Sequence, residues 1–298
     1  MKELILVEKY RPKEFSEVIG LDPEIPKIVN KNLPNILFQS PSPGTGKTSI
    51  CRIIINKLGV SYLELNASDE RKLEDIRDKV KVFAKTKPTK GDFKIVFLDE
   101  CDYLAPFAQP ALRNIMETYS SNCRFILTCN YLNRIIEPIQ SRCIIFELSN
   151  PKKEEILERL KYICDNEKIE YELEALKLII NKNYPDIRSC INLLQKYNNT
   201  KITYDLISKE RSFNDEIYEL IKNKKFGEIR NLLKQKNPNY TNLISFLYEK
   251  FYCDKNLYTG IKKLCILELA ECNFKNEFVA DKELNFVAFV LKIMEKLR

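Results

Sequence analysis

Apolar and polar positions divide the chain into two differently patterned parts. In the first part, short runs of apolar and β-branched residues alternate with longer stretches in which apolar residues recur every three or four positions. Short apolar runs are typical of strands buried in a parallel sheet, and the longer pattern is typical of the helices that join such strands. The pattern predicts helices at residues 48–58, 73–84 and 110–119, and five buried strands, at residues 35–39, 61–66, 94–98, 124–129 and 143–148.

Beyond residue 150 the strand pattern nearly vanishes and helical spacing continues to the end. Pro151 favours the first turn of a helix, and two more helices are predicted at residues 173–183 and 186–197. Five further helices are predicted around Leu220, Leu232, Leu247, Leu267 and Leu291, with loops marked by Gly227, Pro238 and Gly260. The pattern therefore predicts an α/β domain at residues 1–150, a three-helix domain at residues 151–207 and a second helical domain at residues 208–298.

Composition excludes several kinds of chemistry. The 298 residues include no His and no Trp, so catalytic triads that use His, and zinc sites with His ligands, are excluded. The net charge of +7, from 49 Lys and Arg against 42 Asp and Glu, is compatible with a polyanionic partner but does not identify one. The 10 cysteines lie mostly in apolar runs without C-x-x-C spacing, which indicates buried, reduced thiols and no zinc site.

The amino-terminal segment predicts no export or membrane insertion. The apolar run within residues 1–11 is too short for the core of a signal peptide. No stretch approaches the roughly eighteen apolar residues of a membrane span. We therefore expect a cytoplasmic protein without membrane association.

The strongest chemical motif is the segment at residues 40–48 (SPSPGTGKT), between a predicted strand and a predicted helix. In this context backbone N–H groups and the amino end of the helix point at one anion. The donors would be supplied by Gly44, Thr45, Gly46, Lys47, Thr48 and Ser49. Lys47 would reach the β and γ phosphates, and the Thr48 hydroxyl would ligate Mg²⁺. Pro41 stands where the consensus has its first glycine and donates no N–H; the alternative interpretation is a turn rich in Pro and Gly.

Acidic, amide and cationic residues follow the predicted strands. Asp99 and Glu100 end the third strand; Asp99 would hold Mg²⁺, and Glu100 would orient or deprotonate an attacking water. A solvated strand end is the alternative, although a phosphate loop upstream favours the acidic site. Asn130 follows the fourth strand and could hydrogen-bond that water or the γ phosphate. Arg142 precedes the fifth strand and Arg188 begins a helix, and each by itself could lie at the surface.

Several segments together resemble one family. They lie in order at residues 8–12 (EKYRP), 40–48, 66–71 (NASDER), 99–102 (DECD), 116–123 (METYSSNC), 135–143 (IIEPIQSRC) and 185–188 (PDIR). The chain resembles AAA+ clamp-loader ATPase subunits of the replication factor C type, and most closely the large clamp-loader subunit of T-even-like bacteriophages. Pro41 also resembles the phage branch, in which a serine and a proline begin the loop. The carboxy-terminal third is supported only by its helical character.

The resemblance implies a fold and a set of site residues. The fold is a P-loop AAA+ domain with a parallel five-stranded sheet, a three-helix lid and an all-α collar. The resemblance implies ATP and Mg²⁺ as ligands, with Asn130 as first sensor and Arg188 as second sensor on the γ phosphate. Arg142 would be an arginine finger in the neighbouring subunit's site. The catalytic set is then Lys47, Glu100, Asn130, Arg142 and Arg188, and the adenine would be enclosed by Val7, Glu8, Lys9, Tyr10 and Ile19.

The family loads a sliding clamp onto primer-template DNA. The resemblance implies a pentamer with a smaller, non-identical subunit, in which ATP binding opens the clamp and hydrolysis releases it closed on DNA. Residues 71–94 contain nine basic and four acidic side chains, and Arg71, Arg77 and Lys81 are the candidate DNA contacts. The alternative is a solvated helix with ion pairs such as Asp75 with Lys79.

Three other hypotheses remain open from the sequence. The chain could be a scaffold subunit that binds ATP without cleaving it, which an intact Glu100 and Arg142 oppose. It could be another AAA+ DNA motor, although the helical spacing of the last hundred residues favours a collar. It could be a cellular replication factor C small subunit. If the chain is instead phage-encoded, we expect it in the cytoplasm of the host cell. The stripe at residues 243–251 is most simply the core of the last domain, and part of it could face a neighbouring subunit.

Overall fold

The structure is a computed structural model that describes residues 5–68, 73–104, 107–209, 213–236, 238–254, 257–276 and 278–296, with the backbone alone for residues 73–77. The chain forms two compact units, Met1–Ile207 and Ser208–Arg298. Each unit has its own core of buried apolar side chains. The division into three domains with a boundary at residue 150 stays a prediction.

The first unit contains a parallel sheet of five strands in the order β2-β3-β4-β1-β5. The strands are β1 (Ile36–Gln39), β2 (Tyr62–Asn66), β3 (Lys94–Asp99), β4 (Cys123–Cys129) and β5 (Ile144–Glu147). The predicted fold class is confirmed, but the expectation that all five strands are buried is wrong. β2 and β5 lie at the two edges, where a strand has a neighbour on one side only, and Tyr62 and Ile144 are exposed.

Helices cover both faces of this sheet. They are α2 (Glu24–Ile28), α3 (Lys47–Leu58), α4 (Leu73–Lys85), α5 (Gln109–Thr118) and α6 (Glu137–Gln140). The short helix α1 (Leu6–Lys9) precedes them and packs instead with the helices that follow the sheet. Successive strand residues point to opposite faces, so Phe38 packs with α3 on one face while Leu37 packs with α4 and α5 on the other. The loops at the carboxyl ends of the strands therefore lie together at one edge of the sheet.

Three further helices belong to the first unit: α7 (Lys153–Glu167), α8 (Leu173–Asn183) and α9 (Ile187–Lys196). A fourth, α10 (Tyr204–Lys209), begins in this unit and extends two residues past its end at Ile207. Ile156, Leu160 and Ile207 lie in one buried core. Two expectations need correction. Pro151 lies before α7 rather than in its first turn, because Lys152 is the N-cap residue. A fourth helix, α10, joins the three that were predicted, and its Ile207 is fully buried in their core.

The second unit consists of five helices in the described residues 213–236, 238–254, 257–276 and 278–296. They are α11 (Phe213–Lys222), α12 (Phe226–Lys236), α13 (Tyr240–Cys253), α14 (Thr259–Asn276) and α15 (Lys282–Lys296). Leu243, Leu247 and Phe251 are buried in its core, as predicted. Gly227 and Gly260 do not mark loops, because each is the second residue of a helix.

The cysteines are free thiols, and all but Cys143 and Cys253 are buried. Burial raises the pKa of Cys51 and Cys101 well above that of an exposed thiol, because the thiolate would be desolvated. Within the described ranges, no three Cys, Asp or Glu side chains are grouped to hold a metal. In the same ranges, every helix is too short or too polar to cross a bilayer.

Candidate functional site

A cleft of about 200 Å³ lies where the strand ends meet helices α7 and α9. Its lining has three kinds of surface. The polar floor consists of Gly44, Thr45, Gly46, Lys47, Thr48, Ser49, Asp99, Glu100 and Asn130. The apolar wall consists of Val7, Tyr10, Val18, Ile19, Ile187 and Ile191. The cations besides Lys47 are Arg11, Arg159 and Arg188. The structure thus brings together most of the residues predicted for the site.

The loop between β1 and α3 depends on two glycines. Gly44 has φ +70° and Gly46 has φ +92°, a backbone region that side chains other than glycine rarely adopt. A Cβ on Gly44 would also lie 2.1 Å from Asp186 Oδ1. Gly46 is the N-cap of α3, so the N–H groups of Lys47, Thr48 and Ser49 have no acceptor within the helix and can bind an anion.

Lys47 closes this loop from within. Its Nζ donates to the carbonyl oxygens of Ser40 at 2.9 Å and Ser42 at 3.2 Å, the residues on either side of Pro41. Pro41 therefore does not disturb the loop, because the lysine uses carbonyls and proline lacks only its N–H. Desolvation by burial lowers the pKa of Lys47, and the nearby Asp99 and Glu100 partly oppose that shift.

The two acids are held by two threonines. Thr48 Oγ1 donates to Asp99 Oδ2 at 2.9 Å, and Thr128 Oγ1 donates to Asp99 Oδ1. The Glu100 backbone N–H donates to the same Thr128 hydroxyl at 2.9 Å. Glu100 has φ 55° and ψ 43°, an uncommon conformation for a residue other than glycine. This turn at the end of β3 explains how adjacent strand residues both line the cleft.

The donor set fits a magnesium ion. The Thr48 hydroxyl and the Asp99 carboxylate are hard oxygen ligands, and their 2.9 Å separation places them at one point of the cleft. Mg²⁺ is bound in proteins by one or two carboxylates together with phosphate oxygens and water. The bare N–H groups of the loop complement phosphate oxygens, and the apolar wall complements a purine base.

Arg188 enters the cleft from the start of α9. Asp186 caps this helix: its Oδ1 accepts the Ser189 N–H at 3.2 Å, and its Oδ2 accepts the Ser189 hydroxyl at 2.7 Å. Because Asp186 also abuts Gly44, the cap sets the beginning of α9 directly against the phosphate loop. Arg188 therefore lines the same cleft as Lys47.

Three predicted residues do not line the cleft. The inclusion of Glu8 and Lys9 in the adenine site stays a prediction, but Glu8 pairs with Arg11 at 2.5 Å and Lys9 pairs with Glu167 at 2.6 Å, and neither side chain lines the cleft. The reason is that α1 turns Leu6 and Val7 toward the interior, which leaves Glu8 and Lys9 on its exposed side. Arg142 pairs with Glu117 and donates to the Pro138 carbonyl at 2.6 Å, on a solvent-exposed surface. Its role toward a neighbouring subunit stays a prediction.

Two residues that the sequence analysis missed shape the site. Thr128 lies within a β-branched strand, where a threonine gives no sign of a functional role. Arg159 lies on α7 and donates from Nη2 to the Tyr10 carbonyl at 2.8 Å, although the two residues are far apart in sequence. Neither residue belongs to a local motif, so only the folded chain identifies it.

The candidate DNA contacts lie on or before α4. Lys81 is exposed on that helix, where its charge can reach a partner. Arg71 lies outside the described residues, and so does the side chain of Arg77. The alternative ion pair of Asp75 with Lys79 also involves a side chain outside the described part.

Comparison with known proteins identifies the family. Residues 37–150 match the ATPase family associated with various cellular activities, and residues 150–206 match the lid domain of the AAA+ sliding-clamp-loader large subunit. The replication factor C small subunit of Staphylothermus marinus is 37% identical over 312 aligned positions, covering 98% of this chain and 94% of the relative. The chain belongs to the replication factor C small-subunit family. The corresponding subunit of Saccharolobus solfataricus is 43% identical over 245 positions, covering 79% of this chain and 72% of the relative.

Solved structures confirm the AAA+ fold. The Holliday junction branch migration motor RuvB of Thermotoga maritima superposes with a TM-score of 0.57 at 21% identity, covering 71% of this chain and 79% of that chain. Identity this low shows a common fold alone. The predicted replication factor C membership is confirmed, and the branch-migration alternative gains no support from this likeness. The relation to bacteriophage loaders stays a prediction.

Proposed function

We propose that this chain is an ATP-hydrolysing clamp-loader subunit whose cleft binds Mg·ATP. Membership of the replication factor C small-subunit family, together with the clamp-loader lid match, makes the chain a clamp-loader subunit of DNA replication and an ATPase in general. The finer proposal is carried by one observation: Thr48 and Thr128 hold Asp99 at the cleft while the turn at Glu100 brings the second acid beside it.

The lining residues divide the work. The loop N–H groups and Lys47 would bind the phosphates, and the apolar wall with Tyr10 would bind the base. Thr48 and Asp99 would hold Mg²⁺, which supplies neutralising charge for the phosphates. Glu100 would accept a proton from the attacking water, and Asn130 and Arg188 would hydrogen-bond the γ phosphate. All of these residues line the cleft.

Arg142 would act in a neighbouring subunit. Its side chain lies at the exposed surface and does not line the cleft of its own chain. An arginine supplied from a neighbour stabilises charge on the transferred phosphoryl group and contributes on the order of 10³-fold or more in rate. Hydrolysis would then require assembly, so an isolated subunit would not consume ATP.

The assembly proposal is a multi-subunit loader acting with a sliding clamp and primer-template DNA. We extend this to a pentamer that includes a smaller, non-identical subunit. ATP binding would favour the subunit arrangement that opens the clamp and grips DNA, and hydrolysis would release the closed clamp. Lys81 on α4 supports backbone contacts that do not depend on DNA sequence.

Steady-state ATP hydrolysis tests this proposal. The purified chain is assayed alone and then with its partner subunit, sliding clamp and primed DNA. We expect low activity alone, a many-fold rise in the complete mixture, and a fall on the order of 10³-fold for Arg142→Ala while ATP binding is retained. Arg113→Ala is the matched control, because Arg113 is similarly exposed and lies 4.0 Å from the same Glu117 carboxylate.

Two results would overturn the proposal. An equal rate with and without clamp and primed DNA would remove the loader mechanism. An Arg142→Ala rate equal to that of Arg113→Ala would remove the arginine finger. Bound ATP without hydrolysis in the complete mixture would instead support a scaffold subunit.

A further inference from the structure

The amino-terminal segment, residues 5–10, packs against helices α7 and α9 and is hydrogen-bonded to both. Leu6 is 6% exposed and packs in the core that contains Ile156 and Leu160. The Leu6 backbone N–H donates to Gln195 Oε1 on α9 at 2.9 Å. The helix α1 in this segment has 4 residues, too few for stability of its own, so its position depends on these contacts.

Glu167, the last residue of α7, holds the segment at a second point. Its carboxylate accepts from Lys9 Nζ at 2.6 Å and from the Tyr10 hydroxyl. These hydrogen bonds lower the pKa of Glu167, while burial and the neighbouring carboxylate raise the pKa of Tyr10. The Glu167 side chain is 21% exposed, so water does not fully screen the pair.

Arg159 holds the segment from inside the cleft. Its Nη2 donates to the Tyr10 carbonyl at 2.8 Å, and its guanidinium lies 5.4 Å from the centre of the Tyr162 ring. The Tyr10 and Tyr162 rings meet edge to face with centres 6.1 Å apart. The guanidinium is therefore engaged by a carbonyl and an aromatic face, at the part of the cleft that Tyr10 lines.

The other side of this segment is part of the binding surface. Val7 and Tyr10 line the cleft while Leu6 and the Tyr10 hydroxyl are turned into the contacts with α7 and α9. A shift of α7 therefore displaces Val7 and Tyr10 with it. The floor residues Lys47 and Thr48 begin α3 and Asp99 ends β3, and in the described part of the chain none of the three is hydrogen-bonded to Arg159.

We propose that Arg159 and Glu167 are positioning residues that hold Val7 and Tyr10 against the base of a bound purine nucleotide. This inference rests on the proposed function, because it requires the cleft to bind ATP. Its consequence is that nucleotide affinity depends on the two α7 side chains through the base and not through the phosphates. A movement of α7 would then move the side chains that contact the base.

Competition binding separates the base from the phosphates. A fluorescent ATP analogue is displaced from the full chain by ATP or by inorganic tripolyphosphate, which has the phosphates and no base. For Arg159→Ala we expect ATP affinity to fall about tenfold, equivalent to about 1.4 kcal/mol, while tripolyphosphate affinity stays within about twofold. Glu167→Ala, which releases the segment at its second point, should give the same pattern.

Two further variants keep the test sharp. Arg159→Lys keeps the charge and one donor, and it should recover part of the ATP affinity. Lys161→Ala removes a cation from the same helix without touching the cleft and should leave both affinities unchanged. Thermal unfolding followed by circular dichroism verifies that each variant is folded at the assay temperature.

The outcomes are distinct. Equal losses for ATP and tripolyphosphate in Arg159→Ala would overturn the inference, because Arg159 would then act on the phosphates. Unchanged ATP affinity in folded Arg159→Ala and Glu167→Ala would overturn it as well. Failure of the unsubstituted chain to bind ATP would overturn the proposed function itself, before any variant is compared.

Discussion

Thr128 joins the two acids of the cleft, and replacing it by valine tests that arrangement. Its side chain is fully buried. The hydroxyl uses its single proton for Asp99 Oδ1 and one lone pair for the Glu100 N–H. Thr128→Val keeps the branched shape and removes both hydrogen bonds, so an Asp99 oxygen and the Glu100 N–H lose their partner.

The size of the effect follows from these two bonds. A hydrogen bond to a charged acceptor contributes about 1.5–3 kcal/mol, and an N–H left without a partner costs about 1–3 kcal/mol. Asp99 and Glu100 are half-buried, so water replaces part of the loss, and we expect a total of about 2–3 kcal/mol. For a unit of this size that free energy lowers Tm by about 4–12 °C.

Thr128→Ser is the matched control. Serine keeps the hydroxyl and loses one methyl group, which costs about 1 kcal/mol of burial. The Mg²⁺ concentration that gives half-maximal ATPase activity should rise about tenfold or more in Thr128→Val, because Asp99 is no longer held, and should stay close to the original value in Thr128→Ser. Calorimetry measures Tm, and a Mg²⁺ titration of ATP hydrolysis measures the site. A valine variant with the stability and Mg²⁺ dependence of the serine variant would refute the reasoning.

Three further predictions concern the loop, the second unit and the thiols. Gly44→Ala should lower stability by about 1–2 kcal/mol and abolish ATP binding, since alanine disfavours positive φ and its Cβ meets Asp186. Gly227→Ala has open space around the new Cβ and a helical backbone, so it should instead raise the free energy of unfolding in urea by up to about 1 kcal/mol. Equal effects of the two substitutions would contradict this account. Hydrogen bonds from Lys296 and Lys292 lower the pKa of Glu268, so its stabilising effect is complete above the unfolded pKa of about 4.3 and is lost as pH falls through the lower folded value. The urea midpoint should therefore fall less on acidification from about pH 5 to about pH 3 in Glu268→Gln than in the unsubstituted chain, and an identical fall would speak against the pair. Iodoacetamide should alkylate the exposed Cys253 first, and peptide mapping of Cys253→Ser should lose that early product; early labelling of Cys51 would show that the core is open.

Local pattern was sufficient for the elements and for the phosphate loop. The five strands and the helices α3, α4, α5, α8 and α9 follow from apolar periodicity, and their ends differ from the predictions by only a few residues. The short helices α1, α2, α6 and α10 were not predicted. The loop glycines, Lys47, Asp99 and Glu100 stand at the ends of strands, and parallel topology brings such ends together at one edge. Sequence alone therefore determined the fold class and the polar floor of the cleft.

Tertiary structure decided what depends on distant parts of the chain. Tyr62 and Ile144 are exposed because strand order places β2 and β5 at the edges, which a short apolar run cannot indicate. Thr128 meets Asp99 across two paired strands, and Arg159 meets Tyr10 across 149 positions of sequence. Glu8 and Lys9 lie outside the cleft because α1 packs Leu6 into a core formed by α7, α8 and α9. These contacts arise from packing between elements, whereas periodicity and motifs report only on the neighbours of each residue along the chain.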